Sequence, residues 1–363
     1  MKFECFVTTL HAALTQVSRA RSKSSLNPLL QCIYLEIDEF HLIVRATNLE
    51  IVCEKTISVK GKKNGSCLIS AETLMKVISL LNNKVNSLLS FEIIENILII
   101  TNDKDVLKIN LFNENDFPKL PPRGGLISTI ERNKITSLIR DVSFSAATTD
   151  IKPDIASVFI YLKEEILYAV ATDSYRLAES KIAFEGDDFS FLLPQKYVND
   201  IVSILDQEND FIEIYVTENL LTFSTETLTL SITPILGQFP DYKQLFPKEF
   251  TTKVTLNKDE LQKTLTLSSF FTETYNTTNI AIVEEILVVS SKNDHIGSMS
   301  KTLTIKKEGD DMEASYNNKY FLEAFSHLEG DEISLSFTTK NRPLFITTNR
   351  SNSYTYLLMP VNK

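Results

Sequence analysis

Three polar residues in the middle of the chain have side chains suited to chemistry. The segment ATDSYRLAES, residues 171–180, places the carboxylate of Asp173, the phenol of Tyr175 and the guanidinium of Arg176 among apolar residues. A carboxylate and a phenol can exchange protons with a substrate, and a guanidinium can hold an anion. The same three groups also suit a structural turn or the polar rim of a docking site. Their spacing leaves all three interpretations open.

Length and composition predict a globular protein of two or three domains. The chain has 363 residues, of which 43% are hydrophobic and 23% charged. Its apolar runs are short, as at 97–100, and none approaches the roughly 20 residues that span a bilayer. The opening MKFECFVTTL lacks the apolar stretch and small-residue cleavage site of a signal peptide. We therefore expect a cytoplasmic protein.

Cysteine usage and net charge narrow the classes further. Cys5, Cys32, Cys53 and Cys67 are scattered without a CxxC pair, which predicts reduced, buried thiols and no metal site. The formal net charge is −10, which argues against a protein coated by nucleic acid. It leaves room for positive charge confined to one surface.

A long repeat is the main organising signal. Its period is about 120 residues, which is the size of a domain. In each copy an alternating stretch, a Gly/Asp/Asn turn and a short strand precede a helical pattern at 74–81, 198–205 or 321–328. Alternating strands follow, with IENI, TENL and TKNR as turns between them. Each copy also opens with a strand leading into a helix, for which Thr8, Asn133 and Asn257 are candidate N-caps.

These patterns predict an α+β fold of three repeated domains, each with two helices against a mostly antiparallel sheet. We expect the domains to span 1–122, 123–247 and 248–363. Pro-containing segments at 115–122 (NDFPKLPP) and 237–247 (GQFPDYKQLFP) read as linkers into the next domain.

The whole chain resembles the bacterial β sliding clamp, the processivity factor of the replicative DNA polymerase. The resemblance rests on the length, the three-fold repeat, and the segments VATDSYRLAES, QFPDYKQLFP and YLLMPV in that order. It implies three DNA-clamp domains per crescent and two crescents closed head to tail into a homodimeric ring. The helices would line a channel around duplex DNA, contacted without regard to sequence.

The resemblance also implies a docking pocket where the polymerase subunit, the clamp loader and repair proteins insert short linear motifs anchored by Leu and Phe. Carried over by motif, the pocket residues are Ile155, Thr172, Ser174, Tyr175, Arg176, Leu177, Pro240, Leu245, Pro343, Leu357, Met359, Pro360 and Val361. Apolar residues of these types can desolvate an anchor side chain. Ser174 departs from the family, where glycine is usual. Without the resemblance, Leu177 reads as core, Arg176 as an ion-pair partner of Asp173, and the tail as the end of a strand.

DNA-facing and subunit-contact residues follow from the same resemblance. The basic candidates are Arg19, Arg21, Lys23, Lys76, Arg132, Lys134, Arg140, Lys196 and Lys263. Each alone reads as a solvated charge, but together we expect them to face the channel while acids such as Glu72, Asp200 and Glu323 face out. By position, Phe270 and Phe271 would meet Leu107 and Ile109 of a second chain; the alternative is burial of both aromatics inside the third domain.

Two other functions stay open at this stage. A hydrolase would pair Asp173 with His11, His41, His295 or His327, but these occupy non-equivalent places in the repeats. The chain has no GxSxG or HExxH motif, and its nine glycines form no phosphate-binding loop, so we expect neither an enzyme nor a cofactor. The second alternative is a peptide-binding adaptor that never encircles DNA.

Overall fold

A computed structural model of the chain describes residues 1–23, 27–82, 87–102, 105–113, 117–118, 122, 124–149, 151–348 and 351–361. Most of the predicted linker at 115–122, and residue 123 at the first predicted domain boundary, lie outside these ranges. The chain divides into two compact units. Unit 1 comprises residues 1–136 and 197–234, and unit 2 comprises residues 137–196 and 235–363.

The described part of unit 1 contains two sheets. The strands of the first, from edge to edge, are β5 (Lys60–Lys63), β1 (Lys2–Phe6), β7 (Leu88–Ile94), β8 (Ile97–Thr101) and β9 (Val106–Asn110). The strands of the second are β10 (Gly125–Glu131), β15 (Phe211–Thr217), β16 (Leu220–Ser224), β17 (Leu228–Ile232), β4 (Ile51–Ser58), β3 (His41–Thr47), β2 (Cys32–Asp38) and β6 (Gly65–Ser70).

The described part of unit 2 also contains two sheets. The strands of the larger are β14 (Phe189–Pro194), β11 (Ser157–Lys163), β12 (Ile166–Thr172), β13 (Arg176–Ala183), β26 (Ser351–Leu358), β25 (Leu344–Thr348), β24 (Glu332–Phe337), β18 (Thr252–Asn257) and β22 (Lys306–Gly309). Those of the smaller are β21 (Gly297–Thr304), β20 (Ile286–Asn293), β19 (Thr277–Val283) and β23 (Met312–Asn317).

The α-helices of the described residues come in pairs along the three repeats. They are α1 (Val7–Val17), α2 (Ala71–Leu81), α3 (Arg132–Ser143), α4 (Val198–Leu205), α5 (Lys258–Ser269) and α6 (Asn318–Ala324). Short 3₁₀ turns follow or connect the other elements at Ser18–Ala20, Pro28–Gln31, Gln195–Tyr197, Tyr242–Leu245 and Phe325–His327. With antiparallel pairing throughout the strand pairs of the described chain, this confirms the predicted α+β fold of three repeated domains.

Apolar spacing explains which helix faces are buried. In α4, Val198, Ile201, Val202 and Leu205 are all buried, as the spacing of i, i+3, i+4 and i+7 predicts. The alternation in β15 likewise buries every second side chain over its first half. The IENI turn is a two-residue connection in which Glu95 adopts a positive φ of 56°.

Successive repeats are joined by backbone ladders inside each unit. In unit 1, β4 of the first repeat pairs with β17 of the second, from Lys55 opposite Leu228 to Ile51 opposite Ile232. In unit 2, β13 of the second repeat pairs with β26 of the third. Because these ladders cross the repeats, the two units do not follow the repeat pattern, and the boundaries at 122 and 247 stay predictions.

Two of the three predicted N-caps are wrong. Asn257 caps α5, where its side chain accepts a hydrogen bond from the N–H of Glu260 at 2.9 Å. Thr8 does not cap α1, because the helix begins at Val7 after Phe6. Asn133 lies inside the first turn of α3, which begins at Arg132.

Candidate docking pocket and charged surfaces

Asp173 has a structural role in the turn between β12 and β13. Its Oδ1 accepts hydrogen bonds from the N–H groups of Tyr175 (2.9 Å) and Arg176 (3.0 Å). Thr172 donates its hydroxyl to the carbonyl of Arg176 at 2.6 Å and accepts from the N–H of Ser174. Ser174, at the centre of the turn, has a φ of 77°. The Asp173 carboxylate is thus part of the turn's own hydrogen bonding.

Arg176 is bound within the chain through all sides of its guanidinium. Nε donates to Asp173 at 2.9 Å, Nη2 donates to the carbonyl of Phe144 at 2.8 Å, and Nη1 pairs with Glu323. The group also lies 4.3 Å from the ring centre of Tyr320. Burial works against its charge, but the acidic groups around it outweigh that effect and raise the pKa of Arg176. The ion pair with Asp173, one of the interpretations left open above, is therefore present.

The predicted linker at 237–247 is packed onto the larger sheet of unit 2. We call residues 235–250 the covering segment. Phe239 and Tyr242 from this segment are buried. They form one apolar cluster with residues of β12, β13, β14, β25 and β26, namely Val170, Leu177, Leu192, Phe345 and Leu357. The covering segment therefore turns one face of the sheet into core.

An apolar pocket remains between the covering segment and the turn at 172–176. Its volume is about 240 Å³. The lining residues are Ile155, Thr172, Ser174, Arg176, Leu177, Pro240, Asp241, Tyr242, Leu245, Leu357 and Met359. That volume falls below the roughly 300–1,000 Å³ of sites that hold cofactors or drug-sized ligands. It suits one or two inserted side chains, and we call it the docking pocket.

Nine of the residues carried over for the pocket line it together, and four do not. Tyr175 lies beside it, 65% exposed, and its carbonyl accepts a hydrogen bond from the N–H of Met359 at 2.9 Å. Pro343 is buried. Pro360 and Val361 lie along β23 instead, where the N–H of Val361 donates to the carbonyl of Ser315 at 2.8 Å, and they line a separate groove of about 880 Å³.

Sequence reasoning missed Asp241 and Tyr242 as lining residues and missed Glu179 behind them. The carboxylate of Glu179 is 4% exposed and accepts hydrogen bonds from Tyr242 and from Lys243 Nζ, the latter at 2.6 Å. The Tyr242 hydroxyl also lies 2.7 Å from that of Tyr161. Burial and the nearby carboxylate raise the pKa of Tyr242 far above its usual value. One signal was available: Glu179 is two residues from Leu177 on a strand, so it shares that apolar face.

The expected separation of basic from acidic side chains is not observed in unit 1. Asp200 lies 3.4 Å from Arg19 and 3.9 Å from Lys23. Glu72 lies 2.5 Å from Lys76. Both acids thus lie beside basic candidates, because helix spacing and the neighbouring helix place opposite charges together, and which of these groups face the channel stays a prediction.

The remaining basic candidates differ in their surroundings. Lys134 lies 2.7 Å from Glu131, and Arg132 donates to the carbonyl of Asp206 at 2.5 Å. The others range from half-buried to exposed: Arg21, Arg140, Lys196 and Lys263. Glu323, the third acid named above, pairs with Arg176.

The candidate subunit contacts include a large exposed aromatic. Phe270, which follows α5, is 66% exposed, and Phe271 is half-buried. Burial of both aromatics inside the third repeat is therefore wrong for Phe270. Leu107 and Ile109 lie half-buried on β9, at one edge of its sheet in the described part of the chain.

The thiols and histidines form no chemical centre in the residues that the structure describes. All four cysteines are buried and free, and burial raises the pKa of Cys5 to about 12 and of Cys32 to about 11. Within the same described ranges, no three metal-binding side chains come together. His327 stacks on Phe144 and lies 3.4 Å from Asp141. No described helix is long and apolar enough to cross a membrane.

Comparison with known proteins gives one consistent family. Residues 1–121, 129–241 and 243–362 match the models of the N-terminal, central and C-terminal domains of the DNA polymerase III beta subunit. The beta sliding clamp of Streptococcus pneumoniae is 24% identical over 96% of both chains. The structure of the Bacillus subtilis DNA polymerase sliding clamp superposes with a TM-score of 0.94 at 24% identity, covering 100% of this chain and 99% of that one.

A sliding clamp from Pseudomonas aeruginosa, solved bound to griselimycin, has a TM-score of 0.93 at 19% identity with full coverage of both chains. The three consecutive family models cover nearly every residue, in the order of the three repeats. The chain belongs to the DNA polymerase III beta subunit family.

Proposed function

We infer that the chain is a DNA sliding clamp, the subunit that encircles duplex DNA and tethers the replicative polymerase. The observation that carries this inference is the run of three family domains, in order, over a fold of three α+β repeats. The clamp does no chemistry itself. It raises the processivity of the polymerase by holding it close to its template, so that a dissociated enzyme rebinds at high effective concentration.

The docking pocket is the proposed attachment point for the polymerase, the clamp loader and repair proteins. Its lining is mainly Ile, Leu, Met and Pro, which favours the burial of an apolar anchor side chain from a partner peptide. Met359 supports the acceptance of different anchors, because its unbranched side chain adapts to their shapes. Arg176 contributes to the wall while its guanidinium stays bound to Asp173 and Glu323.

Peptide binding tests the pocket directly. Fluorescence anisotropy of a labelled peptide of the Gln-x-x-Leu-Phe type would be measured against the full chain and against a chain lacking residues 359–363. Loss of Met359 removes part of the lining, so binding should fall sharply. Equal affinity of the two proteins would contradict the assignment of the pocket. A peptide with Ala in place of Leu and Phe is the matched control.

Two edge strands support a head-to-tail homodimer. In the described chain, β9 ends one sheet of unit 1 and β21 ends the smaller sheet of unit 2, and an edge strand presents unpaired backbone groups. Exposed Phe270 adds an apolar surface that association would cover. The proposed contact joins Leu107 and Ile109 of one chain to Phe270 and Phe271 of the other.

The remaining candidate is a peptide-binding adaptor that does not encircle DNA. Retention on circular and linear DNA separates the two, because a closed ring slides off free ends. A protein retained on nicked circular plasmid and lost after linearisation is a clamp, whereas equal behaviour on both supports the adaptor. We further propose that the chain works in the cytoplasm, where a bacterial chromosome is replicated.

A further inference from the structure

A buried carboxylate lies behind the docking pocket without lining it. Glu179 is on β13, opposite Val170 of β12 and Thr355 of β26. It shares a strand face with Leu177, which does line the pocket. A carboxylate on such a face is costly unless it is paired and hydrogen-bonded. Glu179 is both.

Its partners come from two consecutive residues of the covering segment. Tyr242 donates its hydroxyl to Glu179 Oε2, and Lys243 Nζ reaches the same oxygen at 2.6 Å. Tyr161, on β11, holds the Tyr242 hydroxyl from another side at 2.7 Å. The Lys243 ammonium also lies 4.7 Å from the ring centre of Tyr168, which favours its charge.

Of these two residues, Tyr242 also lines the docking pocket, whereas Lys243 lines only the groove on the other side of the segment. Pro240, Asp241, Tyr242 and Leu245 line the docking pocket, and the first three of these also line a groove of about 720 Å³ on their other side. This stretch is therefore the partition between the two spaces. Its position decides the width of the docking pocket.

The backbone of the partition makes no described hydrogen bond to the sheet, so its position depends on its side chains. Ile235 and Thr251 donate to the sheet at the two ends of the covering segment, to the carbonyls of Leu192 and Phe337. For residues 236–249, the backbone hydrogen bonds that the structure describes stay within the segment, as from Tyr242 to Pro240. Packing of Phe239 and Tyr242 places the segment on the sheet, and the polar bonds to Glu179 fix where it stops.

We propose that Glu179 is a positioning residue of the docking pocket, which sets the place of its 240–245 wall through Tyr242 and Lys243. This inference rests on the proposed peptide docking. It predicts that Glu179 governs how well the pocket discriminates an apolar anchor, although Glu179 does not line the pocket.

The test compares Glu179→Gln, Glu179→Leu and Tyr242→Phe with the unaltered protein, each binding two labelled peptides. One peptide has the Gln-x-x-Leu-Phe anchors and the other has Ala at both anchors. We expect Glu179→Gln to weaken binding of the anchored peptide roughly tenfold, because the ion pair with Lys243 is lost and both hydrogen bonds then go to a neutral amide. The affinity for the Ala peptide should change little, so the ratio of the anchored-peptide affinity to the Ala-peptide affinity should fall.

A matched control separates positioning from general loss of stability. Glu208 in unit 1 is also buried and also bound to a lysine, Lys55, and to Gln16 and Thr225. Glu208→Gln should lower the melting temperature and leave both peptide affinities unchanged. If Glu179→Leu does not fold, Glu179→Gln and Tyr242→Phe carry the test.

The outcomes are distinct. If the unaltered protein binds no anchored peptide, the proposed docking fails. If the unaltered protein binds the anchored peptide, and Glu179→Gln and Tyr242→Phe have the same ratio of anchored-peptide to Ala-peptide affinity as the unaltered protein, the positioning role is overturned. The proposed docking then still stands. In a Glu179→Gln, Tyr242→Phe double variant, we expect less than the sum of the two single effects, because both substitutions break the same contact.

Discussion

Ser174 has a backbone conformation that residues with a side chain rarely adopt. Its φ of 77° lies in the left-handed region, where the Cβ of an L-residue approaches the backbone. The turn is kept there by the bonds that Asp173 and Thr172 make around it. A glycine at this position would adopt the same conformation without that strain, so Ser174 adds a small local cost in the pocket wall.

We expect Ser174→Gly to stabilise the protein by roughly 0.5–1 kcal/mol, the relief of strain being partly offset by the greater freedom of glycine in the unfolded chain. Denaturant unfolding followed by circular dichroism measures the change. Ser203→Gly, inside α4, is the control and should instead destabilise the protein. A lower stability of Ser174→Gly would show that the strain is not the dominant effect.

The sequence predicted the place of some docking-pocket residues but not the contacts of others, for physical reasons. Leu177, Leu245, Leu357 and Met359 could be placed in the pocket because the family resemblance carries position by position. The ion pair of Arg176 with nearby Asp173 could be read from the sequence, but its bonds to Glu323 and Phe144 could not, since those partners come from segments remote in sequence. Contact between such segments depends on tertiary packing, which no local pattern records.

Among elements, apolar periodicity predicted helices better than polar residues predicted their ends. The helix over 198–205 has the bounds that its spacing indicates. Asn133 and Asn257 both follow a strand and precede a helical pattern, yet only Asn257 is the cap. One residue of difference in where a helix begins separates a cap from an ordinary first-turn position.

That difference predicts unequal effects of the same substitution. Asn257→Ala should lower the free energy of unfolding by about 1 kcal/mol, because the N–H of Glu260 loses its acceptor. Asn133→Ala should have little effect or stabilise slightly, since alanine is the better residue inside a helix. Both are measured by denaturant unfolding, and equal losses would contradict the assigned start of α3.

For the whole molecule, ion pairing reduces the positive charge of the surface that we propose faces DNA. Arg19 and Lys23 share Asp200 instead of standing free. A chain with a net charge of −10 thus offers phosphates fewer uncompensated cations than its sequence suggests. Retention on DNA should therefore be lost at a lower salt concentration than free Arg19 and Lys23 side chains would allow.

Opposite substitutions at this cluster should have opposite effects. Reversing Arg19, Arg21 and Lys23 together to Glu should weaken retention on nicked circular DNA, whereas Asp200→Asn should extend retention to higher salt by freeing two cations. The measurement is the salt concentration at which half of the loaded protein is lost. Unchanged retention in the triple variant would remove these residues from the DNA-facing set.

Ring closure is a property of two chains. The double variant Phe270→Ala, Phe271→Ala should shift the mass in sedimentation equilibrium from dimer to monomer. The substitutions remove apolar aromatic surface that association would bury. Tyr175→Ala, which removes a similarly exposed aromatic beside the docking pocket, is the control and should leave the dimer intact. A full-mass dimer in the double variant would place the interface elsewhere.

The ladders between repeats limit how this protein can be cut into pieces for expression. A fragment ending at residue 247 would leave β13 without β26 along the register from Arg176 to Ser180. A fragment ending at residue 122 would contain β4 but not its neighbour β17. Bare strand edges of this kind invite aggregation. The docking pocket is built from residues of both 137–196 and 235–363, so a fragment that keeps the pocket needs both segments.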